Sequence, residues 1–344
     1  MSRVKYHALT VLDVIEETAD ARSVVLQVPA ELKDTFKYKP GQHLQLHVPC
    51  SEKPLPRCYS CSSVPVLNEA LQVTVKRVAG GRASNWICGS LKAGGVLHVA
   101  APAGIFTPKA FDGDFLLYAG GSGITPVYSI LRPALATGKG RIRLVYANRD
   151  EASVIFRASL DELVRKYADR LEVVHWLDST RGFATQNQLG VFAMGYENAE
   201  AFICGPGPFM DAASTALHNL GFPHARVHVE RFVSLPEDAD DDLPVAVSIA
   251  SGPPMDIEAE IDGTVHRVQC QPGQILLDAL EAAGVAAPYS CRAGACAACM
   301  CQLVEGDVEM IHNHVLTDAD MQDNWMLACQ SVPTSPKVRV KYPS

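Results

Sequence analysis

Four cysteines carry the strongest chemical signal in this 344-residue sequence. Cys291, Cys296 and Cys299 are spaced C-x4-C-x2-C, and Cys329 follows after 29 intervening residues. Thiolates are soft ligands, and a compact loop can present three of them around one iron–sulfur cluster; the spacing is that of a [2Fe–2S] centre. The segment Arg292-Ala293-Gly294-Ala295 is mostly small, which leaves room for backbone N–H groups to approach sulfur. Structural zinc is the competing reading, but zinc favours two C-x2-C knuckles and only one is present. Unligated buried thiols are the other alternative. Cys301, two residues beyond Cys299 in an extended segment, reads as a packed small hydrophobe. Cys270 has no cysteine partner at motif spacing.

Two further constellations lie upstream. Arg57-Cys58-Tyr59-Ser60 is followed by Val75-Lys76-Arg77 and then Gly81-Arg82-Ala83-Ser84-Asn85-Trp86. Taken singly, Tyr59 is an ordinary strand aromatic and Arg57 a surface cation. The second set is Ala119-Gly120-Gly121-Ser122-Gly123-Ile124-Thr125-Pro126, with Cys204-Gly205-Pro206-Gly207-Pro208 later. A lone Gly-rich turn without the strict G-x-G-x-x-G form is weak evidence. Both segments gain weight by falling at expected C-terminal strand ends. For Cys204 the plain alternative is a buried strand-end thiol.

The elements that must position these residues change character along the chain. Residues 1–110 read as short strands such as Ser23–Val28 and Leu71–Lys76, separated by turns such as Tyr38-Lys39-Pro40-Gly41. That pattern suits an antiparallel barrel or sandwich. Residues 111–235 alternate apolar strands (Phe115–Ala119, Arg141–Ala147, Leu171–Trp176, Ala201–Cys204) with helical patterns such as Ser159–Tyr167. Alternation means a parallel α/β sheet, whose ligands bind at the C-terminal strand ends. Residues 236–245 form an acidic, apolar-poor segment bracketed by prolines, the expected linker. Residues 246–344 return to a small α+β unit, with strands near 246–250, 256–261 and 264–268 and one helix near Leu276–Ala283. The fold class is therefore multidomain α+β.

Charge follows the same division. Residues 1–235 carry 25 Lys+Arg against 21 Asp+Glu, a net of +4, while residues 246–344 carry 5 against 12, a net of −7. Two electrostatically different modules follow. No basic stripe appears, which argues against nucleic acid. No apolar run reaches the roughly 18–20 residues of a membrane helix. The start, Met1 to His7, has no apolar signal region. The expectation is a cytoplasmic protein whose 11 cysteines serve metal or redox chemistry rather than disulfides.

Residues 246–344 resemble plant-type ferredoxin domains, with Ala297 where that family often has glycine. The barrel and α/β motifs, in that order, resemble the ferredoxin–NADP reductase family. The whole order is similar to the flavin–ferredoxin reductases that serve multicomponent oxygenases. The resemblance implies an FAD-binding barrel over 1–110, an NAD(P)H-binding α/β domain over 111–235, and a [2Fe–2S] ferredoxin domain over 246–344. It implies that Arg57 pairs with flavin phosphate, Tyr59 stacks on the isoalloxazine and Ser60 lies near its reactive nitrogen. Val75, Lys76, Gly81, Arg82, Ala83 and Ser84 complete the flavin set, the last four opening a helix onto the pyrophosphate. That diphosphate cradle favours FAD over FMN. Gly121, Gly123, Thr125, Cys204, Gly205 and Pro206 are implied nicotinamide contacts, with Ser60, Thr125 and Cys204 nearest the chemistry. Phe232 either covers the flavin or packs in the core.

Cofactor choice turns on Tyr146-Ala147-Asn148-Arg149-Asp150-Glu151. Arg149 suits the 2′-phosphate of NADPH, whereas Asp150 and Glu151 repel it, so NADH is expected. The resemblance further implies a terminal iron-containing oxygenase of Rieske type as partner, with the reductase a monomer. Within the family, segments 57–63, 146–150 and 202–210 are most similar to the branch that serves 3-ketosteroid 9α-hydroxylation. The phenylacetyl-CoA epoxidase branch is a near neighbour. Alternatives are a stand-alone diaphorase and, outside enzymes, a redox-sensing interaction module.

Overall fold

The computed structural model describes residues 4–52, 54–232 and 252–343. The acidic segment 236–245 and the strand expected near 246–250 lie outside the described residues. Chain contacts separate two units. One comprises Tyr6–Pro102 and Phe106–Glu230; the other is centred on the described residues from 252 onward.

The first unit opens with β1 (Tyr6–Thr18), β2 (Ala21–Gln27), β3 (His43–Val48), β4 (Leu55–Ser60), β5 (Leu71–Lys76), helix α1 (Arg82–Ser90) and β6 (Val96–Ala100). These strands form an antiparallel sheet in the order β4-β3-β6-β1-β2-β5. A bridge between Cys61 and Val73 joins its two edges and closes it into a barrel. Alternation along the strands sends Leu9, Val11, Val24, Leu26, Leu44, Leu46, Val73 and Val75 into the interior.

The chain continues with β7 (Phe115–Gly120), α2 (Ile124–Thr137), β8 (Ile142–Asn148), α3 (Arg157–Lys166), β9 (Leu171–Leu177), short helices α4 (Asp178–Arg181) and α5 (Gln186–Val191), β10 (Glu200–Cys204), α6 (Gly207–Asn219) and β11 (Val227–Glu230). The five strands are parallel in the order β11-β10-β7-β8-β9. β7 is buried at every position, as a central strand covered by helices on both faces must be. From β7 the chain steps outward through β8 and β9, then returns to place β10 on the other side. The strand order reverses between β7 and β10, and that switch point is where such sheets bind ligands.

Barrel and sheet are pinned together within this unit. The Gly41 backbone N–H donates to Ser129 Oγ on α2 at 2.8 Å. Arg132, also on α2, reaches Glu69 and the Ser62 carbonyl at 2.5 Å each, with its guanidinium over the Tyr128 ring.

The second unit contains β12 (Met255–Ile261), β13 (Thr264–Cys270), α7 (Leu276–Ala282), β14 (Met300–Glu305), β15 (Val308–Met310), α8 (Asp318–Gln322), β16 (Trp325–Leu327), β17 (Ser331–Pro333) and β18 (Lys337–Lys341). A mixed sheet runs β13-β12-β18-β14-β16, and β15 pairs with β17 beside it. Leu276, Leu277 and Leu280 of α7 share a core with Ile257, Ala259, Val338 and Val340. Cys301 is fully buried on β14, in keeping with a packing role.

Candidate redox site

The register of β3 against β4 sets the barrel side of the site. Leu46 stands opposite Arg57, Leu44 opposite Tyr59, and His43 opposite Ser60. Arg57 and Tyr59 therefore share one face of β4 and Ser60 the other. The Arg57 guanidinium donates to the Pro56 carbonyl at 2.8 Å, and no carboxylate partners it among the described residues. Burial pushes the Tyr59 phenol above its ordinary range, opposed by the nearby Arg57 charge. Val75 is fully buried in the barrel core, and its carbonyl accepts from the Cys88 thiol at 3.4 Å.

Gly81 caps α1 with no side-chain hydrogen bond to the helix's first turn, which Arg82, Ala83 and Ser84 open. The preceding turn is stitched by Ser84 Oγ, which accepts from the Val78 N–H at 3.1 Å. Asn85 adds to it, donating to the Gly81 carbonyl at 2.5 Å. Lys76 extends from the end of β5. Its ammonium lies 3.9 Å from Asp20 and 3.8 Å from where a Cβ on Gly121 would stand.

The α/β side meets this surface at the switch point. The turn Gly121–Gly123 follows β7, and Cys204-Gly205-Pro206 follows β10. They approach so closely that a Cβ on Gly123 would lie 2.1 Å from the Cys204 carbonyl oxygen, so glycine is obligatory there. Thr125, nearly buried, donates its hydroxyl to the Ser122 carbonyl at 3.1 Å. The Cys204 thiol is buried, and burial pushes it well above a thiol's ordinary range, reinforced by the neighbouring Glu230 charge. It has the character of a neutral packing group and not of a thiolate nucleophile.

Glu230 carries no motif in the sequence, where it merely closes a strand. In the structure it ends β11 directly beside Cys204. Its carboxylate is buried and lies 3.8 Å from His43 Nδ1 of β3. Burial raises its pKa, and the adjacent His43 and Ser60 work against that rise. Oε2 is buried with no hydrogen-bond partner among the described residues. One signal was available: an acid terminating the apolar strand Val227-His228-Val229 at a sheet's C-terminal edge, where ligands bind.

Arg149 stands one strand further out, at the end of β8. It is largely exposed, and Nε donates to Asp150 at 2.8 Å. Asp150 in turn accepts from the Ser153 N–H at 2.9 Å. The Ser179 N–H donates to the Arg149 carbonyl at 2.9 Å, bringing Asp178 of the next strand end alongside. Phe232 is 38% exposed and is not a core residue.

The four motif cysteines come together in the second unit. Cys296, Cys299 and Cys329 are buried and Cys291 partly so. The thiols are paired two and two. Hydrogen bonding with Cys296 pushes Cys291 well above the ordinary range, while between Cys299 and Cys329 the shared proton lifts Cys299 and lowers Cys329. Among the described residues, no three His, Cys, Asp or Glu side chains converge on a single ion. Two thiols at each end is the donor arrangement for two irons. Backbone N–H groups of Ala293 and Ala295 donate to Cys291 Sγ at 3.4 and 3.3 Å, and that of Cys291 to Cys296 Sγ at 3.3 Å. Such bonds stabilise thiolate and tune a cluster's potential. The loop turns back on itself through positive φ at Arg292 (56°), Gly294 (69°) and Ala297 (51°). Arg292 clamps it to α7 through Asp278 at 2.8 Å and through Glu281, and its carbonyl accepts from Gln330 Nε2 at 2.7 Å.

Comparison with known proteins agrees at every module. Residues 8–107 match the oxidoreductase FAD-binding domain family, residues 117–215 the oxidoreductase NAD-binding domain, and residues 259–334 the 2Fe-2S iron-sulfur cluster binding domain. The ferredoxin reductase component of 3-ketosteroid-9-alpha-monooxygenase from Rhodococcus rhodochrous is 48% identical over 337 residues, covering 97% of this chain and 96% of its own. The chain belongs to the ferredoxin reductase components of multicomponent monooxygenases. A component of the 1,2-phenylacetyl-CoA epoxidase from Escherichia coli K12, a more distant relative of this reductase, is 34% identical with 98% coverage of both chains. Phthalate dioxygenase reductase shares the fold over 98% of both chains, with a TM-score of 0.59 and 24% identity. The reductase is thus an electron-transfer oxidoreductase using NADH, FAD and a [2Fe–2S] cluster. Its redox residues fit those groups: a cation on β4 with no carboxylate partner among the described residues, a helix start with no side-chain cap, a glycine-only approach at the switch point, and paired thiols with N–H donors.

Proposed function

We propose that this reductase supplies electrons from NADH to a terminal iron-containing oxygenase of Rieske type that hydroxylates 3-ketosteroids at the 9α position. The observation supporting that reading is the near-complete alignment with the steroid reductase components, at an identity well above that with the epoxidase component. When bound, the flavin converts a hydride into single electrons and the cluster passes them on singly.

The protein's own residues align and insulate. In this reading Arg57 and the N–H groups of Arg82, Ala83 and Ser84 hold the flavin phosphates, and Tyr59 holds its ring. Ser60 and Thr125 face the hydride path, with Cys204, Gly205 and Pro206 flooring the nicotinamide. Phe232, an exposed aromatic two residues past Glu230, covers the flavin. Cys291, Cys296, Cys299 and Cys329 ligate the cluster. Domains are assigned to 1–110, 111–235 and 246–344, in a cytoplasmic monomer. No helix among the described residues is long and apolar enough to cross a membrane.

The preference for NADH follows from Arg149. Its charge is already met by Asp150, and a 2′-phosphate entering there would face Asp150, Glu151 and Asp178. Reconstitution with a 3-ketosteroid 9α-oxygenase component tests the whole reading. NADH oxidation should be coupled one-to-one to hydroxysteroid, with kcat/KM for NADH far above that for NADPH. Coupling only to an unrelated oxygenase would overturn the steroid assignment while leaving the reductase intact.

A further inference from the structure

Tyr342 belongs to no motif in the sequence, yet the structure sets its hydroxyl among the cysteines of the second unit. It follows β18, whose register against β14 pairs Val340 with Leu303 and Lys341 with Gln302. One step further along that register Tyr342 comes opposite Cys301. Its N–H donates to the Glu260 carbonyl at 2.9 Å, which fixes the backbone there. The residue is 2% exposed and packs in the same core as Cys299, Cys301 and Cys329. Its hydroxyl is buried and has no hydrogen-bond partner among the described residues. The polar groups facing it are the thiols of Cys301, Cys299 and Cys329.

A buried hydroxyl left unpaired costs about 1–3 kcal/mol, and folded interiors leave few of them. A phenylalanine would fill the same space without that cost, so the hydroxyl calls for an acceptor. Burial pushes the Cys301 thiol up, so it stays a neutral thiol and a weak acceptor. Cys299 and Cys329 are thiolates once they ligate the cluster, and a hydrogen bond to an ionised acceptor is roughly twice as strong as one to a neutral group. A phenol holds its proton at neutral pH and so meets a thiolate as the donor. The two thiol pairs are also served differently. Cys291 and Cys296 accept backbone N–H groups at 3.3 and 3.4 Å. The Cys299–Cys329 pair has the Gly294 N–H and Gln330 Nε2, the latter 3.8 Å from Cys329 Sγ.

We propose that the Tyr342 hydroxyl donates a hydrogen bond to the sulfur of the Cys299–Cys329 pair and thereby raises the reduction potential of the cluster. Reduction adds one electron, supplied through the flavin, to a group whose charge is shared with its sulfurs. A donor bonded to that sulfur favours the reduced form. Tyr342 thus eases the step from flavin to cluster, and Cys301 is the wall against which its ring is held. The inference rests on reading the four cysteines as the ligands, so iron content and the visible spectrum are recorded on every sample. A wild-type holoprotein with no [2Fe–2S] spectrum would sink that reading; the outcomes below concern the hydroxyl alone.

The test is an anaerobic redox titration of the holoprotein, with the reduced cluster followed by electron paramagnetic resonance. At the potential where the wild-type cluster is half reduced, Tyr342→Phe should lower the ratio of reduced to oxidised cluster about threefold or more, the worth of one net hydrogen bond. In resonance Raman spectra, the part of the Fe–S(cysteine) stretches that shifts in D2O should shrink in the same variant. Cys301→Ala should leave the ratio near wild type. Should the phenylalanine variant fail to retain its cluster, 3-fluorotyrosine at residue 342, a stronger donor, should move the ratio the other way. A ratio unmoved by either replacement of Tyr342, or an equal fall in Cys301→Ala, would overturn the proposal.

Discussion

The molecule handles electrons in two places built on opposite plans. The cluster loop takes three of its four cysteines from nine consecutive residues, with Cys329 brought in by the turn after β16. The proposed hydride site lies where His43, Ser60, Gly123, Cys204 and Glu230 come together, on four strand ends and a turn in two sheets. One is local and held by short-range N–H···S bonds and an arginine clamp. The other exists only once barrel and α/β sheet have packed. A thiolate cage must enclose a compact group from all sides, which a tight loop does well. A hydride path must bring two large planar ligands face to face, which needs a cleft between two sheets.

The comparison predicts that the sites fail independently. Replacing Cys329 by Ser removes one ligand and should lower electron delivery to cytochrome c or an oxygenase by about a hundredfold or more. NADH-to-ferricyanide turnover, which needs only the flavin, should stay near wild type. Equal loss of both activities would show that the two sites are not separable.

The same contrast explains what could be read from sequence. C-x4-C-x2-C is visible because the ligands are neighbours in the chain, and the Arg57-x-Tyr59-Ser60 and Gly-rich turns are visible because each sits within one strand–turn unit. The expected strands at Phe115–Ala119 and Ala201–Cys204 match β7 and β10 to within a residue, since continuous apolar runs mark buried parallel strands. His43 and Glu230 were not legible as a pair. They lie 187 positions apart, and nothing in a linear pattern shows that β3 and β11 will meet. Pairing of Arg149 with Asp150, by contrast, is a nearest-neighbour event, and both residues stand out in the linear sequence.

A break on the hydride side tests the packed junction itself. Gly123→Ala places a Cβ within 2.1 Å of the Cys204 carbonyl oxygen, so the turn or the end of β10 must shift. Overpacking of this kind costs about 1–3 kcal/mol. It should lower Tm by several degrees and raise KM for NADH more than tenfold, while the visible spectrum of the cluster is unchanged. An unaltered KM would mean that the approach of the two turns does not shape the nicotinamide site.

The smallest effect belongs to the cluster loop and concerns Ala297. Its φ of 51° lies in the left-handed region, where a Cβ crowds the following carbonyl at a cost of about 1–2 kcal/mol. The neighbouring Gly294, at 69°, adopts that region without such cost. The loop accepts strain at Ala297 because Cys296 and Cys299 on either side are both committed to the thiol cage, and the chain between them must reverse. Ala297→Gly removes the Cβ but also loosens the unfolded chain, which offsets part of the gain. The net expectation is a stabilisation of about 0.5–1 kcal/mol, seen as slower cluster bleaching on heating and little change in turnover. Faster bleaching in the glycine variant would mean that the Ala297 side chain, which packs against the ferredoxin core, contributes more than its backbone strain costs.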